Sequence, residues 1–388
     1  MRVFIALTYY RPHYSGLTIY VERLARALVE RGHHVTVLTS RFNQSLPSHE
    51  VRDGVEVIRP QVLMQVSKGV LMPSMPFWAM RLVRQADVVN LHMPQLDASY
   101  LAWIGRILGK PVVLTYHCDL TLPRSFIHQV AQRVSGVANQ IAVPPARVIV
   151  TNTLDYAQQS PFLKHYLNKI HVIQPPVELA PVTDTDIAAF KQKYAIQPGQ
   201  KVIGMAARLA TEKGVEYLIE ALPAVVAKHP EIRVLFVGQY KDVLGEERYA
   251  QRLAPLIKRL GSHWSFLGNL PPVEFSAFFR ACHLTVLPSI NGTESFGMVQ
   301  VESMTCGTPV VATDLPGVRQ PVRESGMGQI IPPQDAQALS NAIIHLLEFP
   351  NGYRGKSAEM TRHYAPATVA GEYEKLFDHL IQTGKNQE

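Results

Sequence analysis

The chain has 388 residues, 47% of them apolar and 18% charged, which excludes a disordered or fibrous protein and leaves room for two domains with separate cores. Its net charge of +7 is unevenly spread: cut after Ala180, the first part holds 18 Lys+Arg against 10 Asp+Glu and the second 20 against 21. A basic first part points to an anionic partner such as a lipid surface, a nucleic acid or a phosphorylated acceptor, or else to ordinary solvated surface.

In chain order, Met1-Arg2 leads into an apolar run at 3–7 that is too short for a signal peptide, and Tyr9-Tyr10-Arg11-Pro12 stands where a small-residue cleavage site belongs. The run therefore reads as a first buried strand. Ser15-Gly16-Leu17-Thr18 makes a turn opening a helix over 19–30, whose Val21, Leu24, Ala25, Leu28 and Val29 share a face and whose end is marked by Arg31-Gly32. Further strands are predicted at 34–39, 55–58, 88–91, 112–116, 148–150 and 171–173, short runs rich in Val and Ile of the kind buried on both faces of a parallel sheet. The apolar stretch 69–79 is broken by Pro73 and Pro76, and nothing reaches the ~18 uncharged residues of a membrane span. Around it, Lys68, Leu71, Met72, Phe77, Trp78, Arg81 and Arg84 either lie on an anionic leaflet or pack as a helix within the first domain. Thr115-Tyr116-His117-Cys118-Asp119 sets His117 and Asp119 at a strand's carboxyl end, where ligands meet parallel sheets, with a merely strand-capping His as the equal alternative. The loop 120–132 carries Arg124 and His128 in no pattern that assigns them a role.

Gln174-Pro175-Pro176 and the polar Thr183-Asp184-Thr185-Asp186 form the natural linker to a second domain. The Asp-x-Asp within it has the form that binds a metal-nucleotide in other transferases, but no strand precedes it and it reads as structural. Strands follow at 202–206, 233–237, 265–267, 284–287, 309–312 and 329–331, making a second doubly wound series. Directly after the first of them, Arg208-Leu209 and Lys213-Gly214 place a planar fork and a point charge that can clamp a diphosphate, or lie as plain surface charge at a helix start. After the fourth comes Asn291-Gly292-Thr293-Glu294-Ser295-Phe296-Gly297, then a helix from Met298 to Cys306. Such a loop leaves backbone N–H groups at a helix N-terminus available to phosphate oxygens, with the helix dipole favouring their charge. Glu294 and Glu302, eight residues apart, either face one ligand's hydroxyls or stand solvated beside the helix, while Met298, Val301 and Met304 read as core. A last helix at about 368–381, beyond Pro366, puts Tyr373, Leu376, Phe377 and Leu380 on one face. Cys118, Cys282 and Cys306 are scattered, which supports neither a disulfide framework nor a zinc site and suits a reducing cytoplasm.

Taken together, these motifs resemble the retaining nucleotide-sugar glycosyltransferases of family 4, over nearly the whole chain. The most specific part is that family's E-x7-E motif, here Glu294 to Glu302, followed by Gly307-Thr308-Pro309-Val310-Val311-Ala312; Arg208 and Lys213 match its basic pair. Ser15-Gly16 matches its Gly-Gly loop with Ser in place of the first Gly. The resemblance implies an α/β protein of GT-B fold: two Rossmann-like doubly wound domains facing a central cleft, the acceptor domain at 1–178, the nucleotide-sugar domain at 179–365, and a helix at 366–388 crossing back to the first. It implies that Arg208 and Lys213 hold the donor diphosphate, assisted by N–H groups near Phe296, Gly297 and Met298. Glu302 would hold the ribose, Glu294 the transferred sugar, and His117 the sugar near its reacting carbon. Gly16 would let the N-terminal loop reach the phosphate, and Leu267, Asn269 and Leu270 fall where the family's backbone contacts the base. No metal and no cofactor are implied, and Asp119 is the alternative base or nucleophile.

The expected activity is therefore transfer of a hexose from a UDP- or GDP-linked sugar to a lipid, lipid-linked or glycan acceptor, in the cytoplasm or peripherally on the inner face of the membrane. Rival readings are a relative acting without acceptor, as an epimerase or phosphorylase, and a non-catalytic binder of anionic surfaces. Nucleic acid is disfavoured because Glu294 and Glu302 would repel its phosphates.

Overall fold

The computed structural model describes residues 1–66, 69–120, 126–353 and 355–385. Lys68 and Arg124 lie outside the described residues, as does the side chain of His128. The chain divides into two compact units, Met1–Pro176 with Tyr364–Glu388, and Val177–His363.

The first unit is built on β1 (Arg2–Ala6), β2 (His34–Leu38), β3 (His49–Arg52), β4 (Val55–Ile58), β5 (Met64–Val66), β6 (Gly69–Leu71), β7 (Val88–Met93), β8 (Val112–Tyr116), β9 (Val148–Thr151) and β10 (Ile170–Val172). Eight of these form one sheet in the order β10-β9-β8-β7-β1-β2-β4-β3, parallel throughout except for the β3–β4 pair, and β5–β6 is a separate hairpin. Every residue of β7 and of β8 is buried, the condition under which such strands are mostly apolar, here with Asn90, His92 and Thr115 as the exceptions. The seven strands expected in this part are present; β3 and the hairpin are not among them. β3, His-Glu-Val-Arg on the sheet edge, has no buried position, so no burial pattern marked it.

Helices α1 (Gly16–Glu30), α2 (Met75–Gln85), α3 (Ala98–Ile107), α4 (Phe126–Ala142) and α5 (Leu154–Gln159) connect the strands. Ser15 caps α1, its hydroxyl accepting from Thr18 N at 3.2 Å, so the helix begins three residues earlier than the periodicity alone suggests. The stretch 69–79 divides between β6 and α2, and α2 buries Met75, Ala79, Leu82 and Val83 in the core.

The second unit contains β11 (Lys201–Ala206), β12 (Ile232–Val237), β13 (Trp264–Gly268), β14 (Leu284–Leu287), β15 (Val310–Thr313) and β16 (Gly328–Ile331), all parallel in the order β13-β12-β11-β14-β15-β16. All six strands expected there are present. Its helices are α6 (Asp184–Lys193), α7 (Val215–Lys228), α8 (Glu247–Arg259), α9 (Pro272–Ala281), α10 (Met298–Thr305), α11 (Gln320–Ser325), α12 (Ala336–Glu348) and α13 (Ser357–His363). The segment 183–186, expected as linker, is instead the start of α6: Thr183 Oγ1 accepts from Asp186 N while the Asp186 carboxylate accepts from Thr183 N at 2.8 Å. This reciprocal cap gives Asp186, the second carboxylate of the Asp-x-Asp, a structural role.

The last helix, α14 (Pro366–Lys385), belongs to the first unit. It buries Val369, Ala370, Tyr373, Leu376, Phe377 and Leu380 there. Arg31, at the end of α1, bonds Glu374 through Nε at 2.8 Å, and His33 Nε2 bonds the same carboxylate at 3.0 Å.

In each sheet the strand order reverses once, between β1 and β7 and between β11 and β14. Ligands of open parallel sheets bind outside the carboxyl ends of the strands at such a reversal. Those ends are where the chemically interesting residues are found.

Candidate functional site

In the second unit, the chain leaving β11 stays paired with the extension of β12, Ala207 N bonding Val237 O at 2.9 Å and Leu209 N bonding Gln239 O at 2.8 Å. Arg208, between them, is partly exposed and donates to Glu212 Oε1 at 3.0 Å. One tight turn, Thr211–Lys213, then runs into Gly214 in the left-handed region at φ +62°, where a Cβ would stand 2.1 Å from Pro288 O. Only glycine lets the β11 and β14 loops approach this closely. Ile290 N bonds Glu212 O at 3.1 Å, and Lys213 Nζ is 2.5 Å from Glu294 Oε2. The expected basic pair and the first glutamate of the E-x7-E motif are thus brought together.

The β14 loop ends at Gly297, with φ +75° at the cap position of α10. A Cβ there would lie 2.3 Å from the Leu287 Cδ2 side-chain end, which would have to shift, and the positive φ strains any other residue at this position. Gln300 Nε2 donates to Val318 O at 2.9 Å and to Phe296 O, pinning the loop from beneath. Phe296 is buried as a core side chain, so any contact it makes with a ligand is through its backbone. Met298 is the first residue of α10, and Glu302 is buried one turn further along. Two buried hydroxyls of the loop, Ser289 Oγ and Thr293 Oγ1, have no hydrogen-bond partner among the described residues. Buried polar atoms are rarely left so, and a polar ligand would complete them.

At the end of β13, Gly268 has φ +72° and accepts from Gly238 N at 2.8 Å. Leu267 and Leu270 are half-buried against the cluster containing Phe278 and Phe279, while Asn269 is exposed. Tyr240 stacks on Phe266 at 4.4 Å and 11° at the same end of the sheet.

In the first unit, Gly16 is the first residue of α1, behind the Ser15 cap. Serine in place of glycine at 15 therefore has a local reason. His117, just past β8, is buried, and its Nε2 lies 2.8 Å from His92 Nδ1 with the rings stacked. Burial pushes the His117 imidazole down to about 3. His92 is driven well below its ordinary value by burial and by the neighbouring His117. Both rings are therefore neutral near pH 7.

Asp119 does not stand ready as a base or nucleophile. Its carboxylate accepts from Tyr116 OH at 2.8 Å, Tyr156 OH at 2.8 Å and Ser160 Oγ at 2.9 Å, which fixes the loop after β8. In the same way, burial and the Asp119 charge push both tyrosine hydroxyls well above their ordinary range, so they remain donors.

Sequence reasoning did not single out His92, Asn90 or Gln300. A signal existed for the first two: Asn90 and His92 are polar residues two apart in an otherwise apolar strand, hence on one face of it. Among the described residues no group of three or more His, Cys, Asp or Glu side chains is arranged to hold a metal ion, and no helix is long and apolar enough to cross a membrane.

Residues 14–180 match the family profile described as Glycosyltransferase Family 4, and residues 186–367 match Glycosyl transferases group 1. The chain is 27% identical over 377 residues to the phosphatidyl-myo-inositol mannosyltransferase of Mycobacterium leprae, covering 95% of this chain and 94% of that one. It is 29% identical to the D-inositol 3-phosphate glycosyltransferase of Acidothermus cellulolyticus, covering 92% and 84%. Among solved structures, Anabaena HepE in complex with UDP superposes with a TM-score of 0.74 at 22% identity, over 98% of this chain and all of that one (100%). Sucrose-phosphate synthase from Thermosynechococcus elongatus does so with 0.76 at 21% identity, over 98% and 99%. The fold is that of these GT-B proteins.

Proposed function

The chain belongs to the group 1 glycosyltransferases of family 4, and from that premise we propose that it is a retaining enzyme moving a hexose from a UDP- or GDP-linked sugar to a lipid, lipid-linked or glycan acceptor. The observation that carries this reading is the Lys213–Glu294 pair beside the N-terminus of α10, with Arg208 on the adjoining loop, all outside the sheet's reversal point. Breaking the bond between the anomeric carbon and the diphosphate leaves an oxocarbenium-like sugar and adds negative charge to the phosphate. Fixed cations and helix N–H groups aimed there lower the barrier.

In this reading Arg208 and Lys213 hold the diphosphate, assisted by the amides of Phe296, Gly297 and Met298. Glu302 holds the ribose, Glu294 the transferred sugar, and Leu267, Asn269 and Leu270 border the base. Gly16 and His117 act from the first unit on phosphate and sugar. The acceptor oxygen attacks the face from which the diphosphate departs, its proton passing to a departing phosphate oxygen, so the new bond keeps the anomeric configuration. The scheme requires no metal ion or cofactor, because Arg208, Lys213 and the helix supply the charge. A UDP complex of HepE and the mannosyl- and glycosyltransferase names of the relatives support the donor and acceptor classes.

Calorimetric titration with UDP, GDP and ADP tests the donor site. One diphosphate is expected to bind well above the others, and Glu302→Ala to weaken it by about tenfold or more, the scale of losing hydrogen bonds to a charged group. Binding of none of the three, or undiminished binding to Glu302→Ala, would overturn the assignment.

Peripheral contact with an anionic membrane surface is supported by α2, where Phe77 is 66% exposed beside exposed Arg81 and Arg84, with Leu71 of β6 52% exposed. Met72 is in the core and Trp78 packs against it, so for these two residues the packing alternative holds. Sedimentation with anionic liposomes at low salt is expected to carry the protein into the pellet, and neutral liposomes to leave it behind. Equal recovery in both supernatants would remove the membrane from the proposal.

A further inference from the structure

The turn that carries Lys213 is held from two sides. Toward β14, Gly214 lies against Pro288 and Glu212 O accepts from Ile290 N; on the other side the turn is met by the start of α8. Glu246, the residue before α8, makes no capping bond to its own helix. One oxygen of its carboxylate, Oε2, accepts instead from Thr211 N at 3.0 Å and from Thr211 Oγ1 at 2.7 Å. One turn into α8, the Tyr249 hydroxyl accepts from Val215 N at 3.1 Å and donates to the Glu216 carboxylate, whose other oxygen accepts from Arg252 Nη2 at 2.9 Å.

These bonds answer a shortage that Gly214 creates. The first amides of a helix lack partners within it, and a side-chain oxygen at the cap position ordinarily accepts from one of them. Gly214 occupies the cap position of α7 because of its close approach to Pro288, and it has no such oxygen. Val215, the first residue of α7, therefore gives its N–H to Tyr249 of another helix. A phenol has one proton, and the buried Glu216 takes it. Burial and that carboxylate push the Tyr249 hydroxyl well above its ordinary range, so it stays protonated near pH 7 and its oxygen stays open to Val215.

We infer that α8 braces Lys213 for the transfer proposed above, on which this inference rests. Glu246 and Tyr249 anchor the amides of Thr211 and Val215, two residues to either side of Lys213, so that its ammonium is already in place when the diphosphate departs. Both are positioning residues: they act through Lys213 and touch no substrate. The stem of a lysine is flexible, so the backbone can fix only where that stem starts and which way it leaves, and anchoring the turn at both ends fixes both. A charge held in place stabilises the transition state more than a wandering one, because no reorganisation accompanies the step.

Steady-state transfer by the full chain, with Lys213 present and with Lys213→Ala, tests the brace. Glu246→Ala and Tyr249→Phe are each expected to lower kcat about tenfold when Lys213 is present, inside the ~100-fold that a 1 Å misplacement can cost. With Lys213→Ala already made, each should lower it by less than about twofold, whereas a loss of stability alone would act on both backgrounds alike. Glu246→Gln keeps an oxygen able to accept both Thr211 hydrogens and should keep kcat within about twofold of wild type, which separates geometry from charge. Amide hydrogen exchange reads the same bonds without substrate: Thr211 should exchange about fivefold faster in Glu246→Ala, and Val215 in Tyr249→Phe, the scale of one hydrogen bond. Undiminished kcat in both single variants, or equal losses in the two backgrounds, would overturn the inference. In a protein that transfers no sugar, which would remove the function proposed above, faster exchange would still show the brace and unchanged exchange would overturn it.

Discussion

Replacing Lys213 with Ala is expected to lower kcat by about 10²–10³-fold at saturating donor, the scale seen when one preorganised charge stabiliser is deleted. The charge on the departing diphosphate grows only as the anomeric bond breaks, so its loss registers mainly in the transition state. Lys213 differs from an ordinary surface lysine because Gly214 and the β14 loop fix its backbone and Glu294 holds its ammonium at 2.5 Å. Lys213→Ala has a second effect: Glu294 is left uncompensated where the diphosphate should sit, so KM for the donor rises as well. The double variant Lys213→Ala/Glu294→Gln removes that repulsion and should recover part of the KM change but none of the kcat lost with Lys213. Steady-state transfer with each variant separates the two effects. Wild-type turnover in Lys213→Ala would sink the assignment of this lysine to the leaving group.

The thirteen strands found where they were expected were legible because parallel strands covered on both faces are mostly apolar, and such runs stand out from the helices between them even where Asn90 and His92 interrupt β7. β3 was not, since an edge strand of His-Glu-Val-Arg buries nothing. The donor-side motif was legible for a related reason: Gly214, Gly297, Lys213 and Glu294 are consecutive or nearly so within two loops, and their geometry is set locally by turn and helix-start chemistry. Asp119 and His117 were legible only as positions. What each does depends on partners from β7, α5 and α14, which lie far away in sequence, and no spacing rule connects Tyr373 to Thr115 or Ser160 to Asp119. The helical period placed Tyr373 on one face with Leu376, Phe377 and Leu380, all of them buried, but its hydroxyl was invisible to that period. The Asp184-Thr185-Asp186 triplet shows the converse, a motif-like string whose second carboxylate is fully explained by capping its own helix.

The same buried imidazoles make the first unit sensitive to acid. Burial holds His117 near 3 and His92 well below its ordinary value, so in the folded unit both stay neutral as pH drops below 6.5, whereas the unfolded chain takes up a proton on each. A depressed folded value means that the stability is present above about pH 6.5 and is lost as pH falls toward the folded value. Each proton taken up only by the unfolded chain makes stability fall as pH drops below about 6.5, so the pair acts together in the same direction. Against a domain's marginal stability that loss is large, and it falls on β7 and the end of β8, which carry the pair. The opening free energy of β7 and β8 amides, from native-state hydrogen exchange corrected for intrinsic rates, would report it without requiring the two units to unfold together. His92→Gln removes one titration and should lose less stability per pH unit than wild type. Parallel pH profiles for the two proteins would show that His92 accepts its proton in the folded state and would remove it from the acid sensitivity.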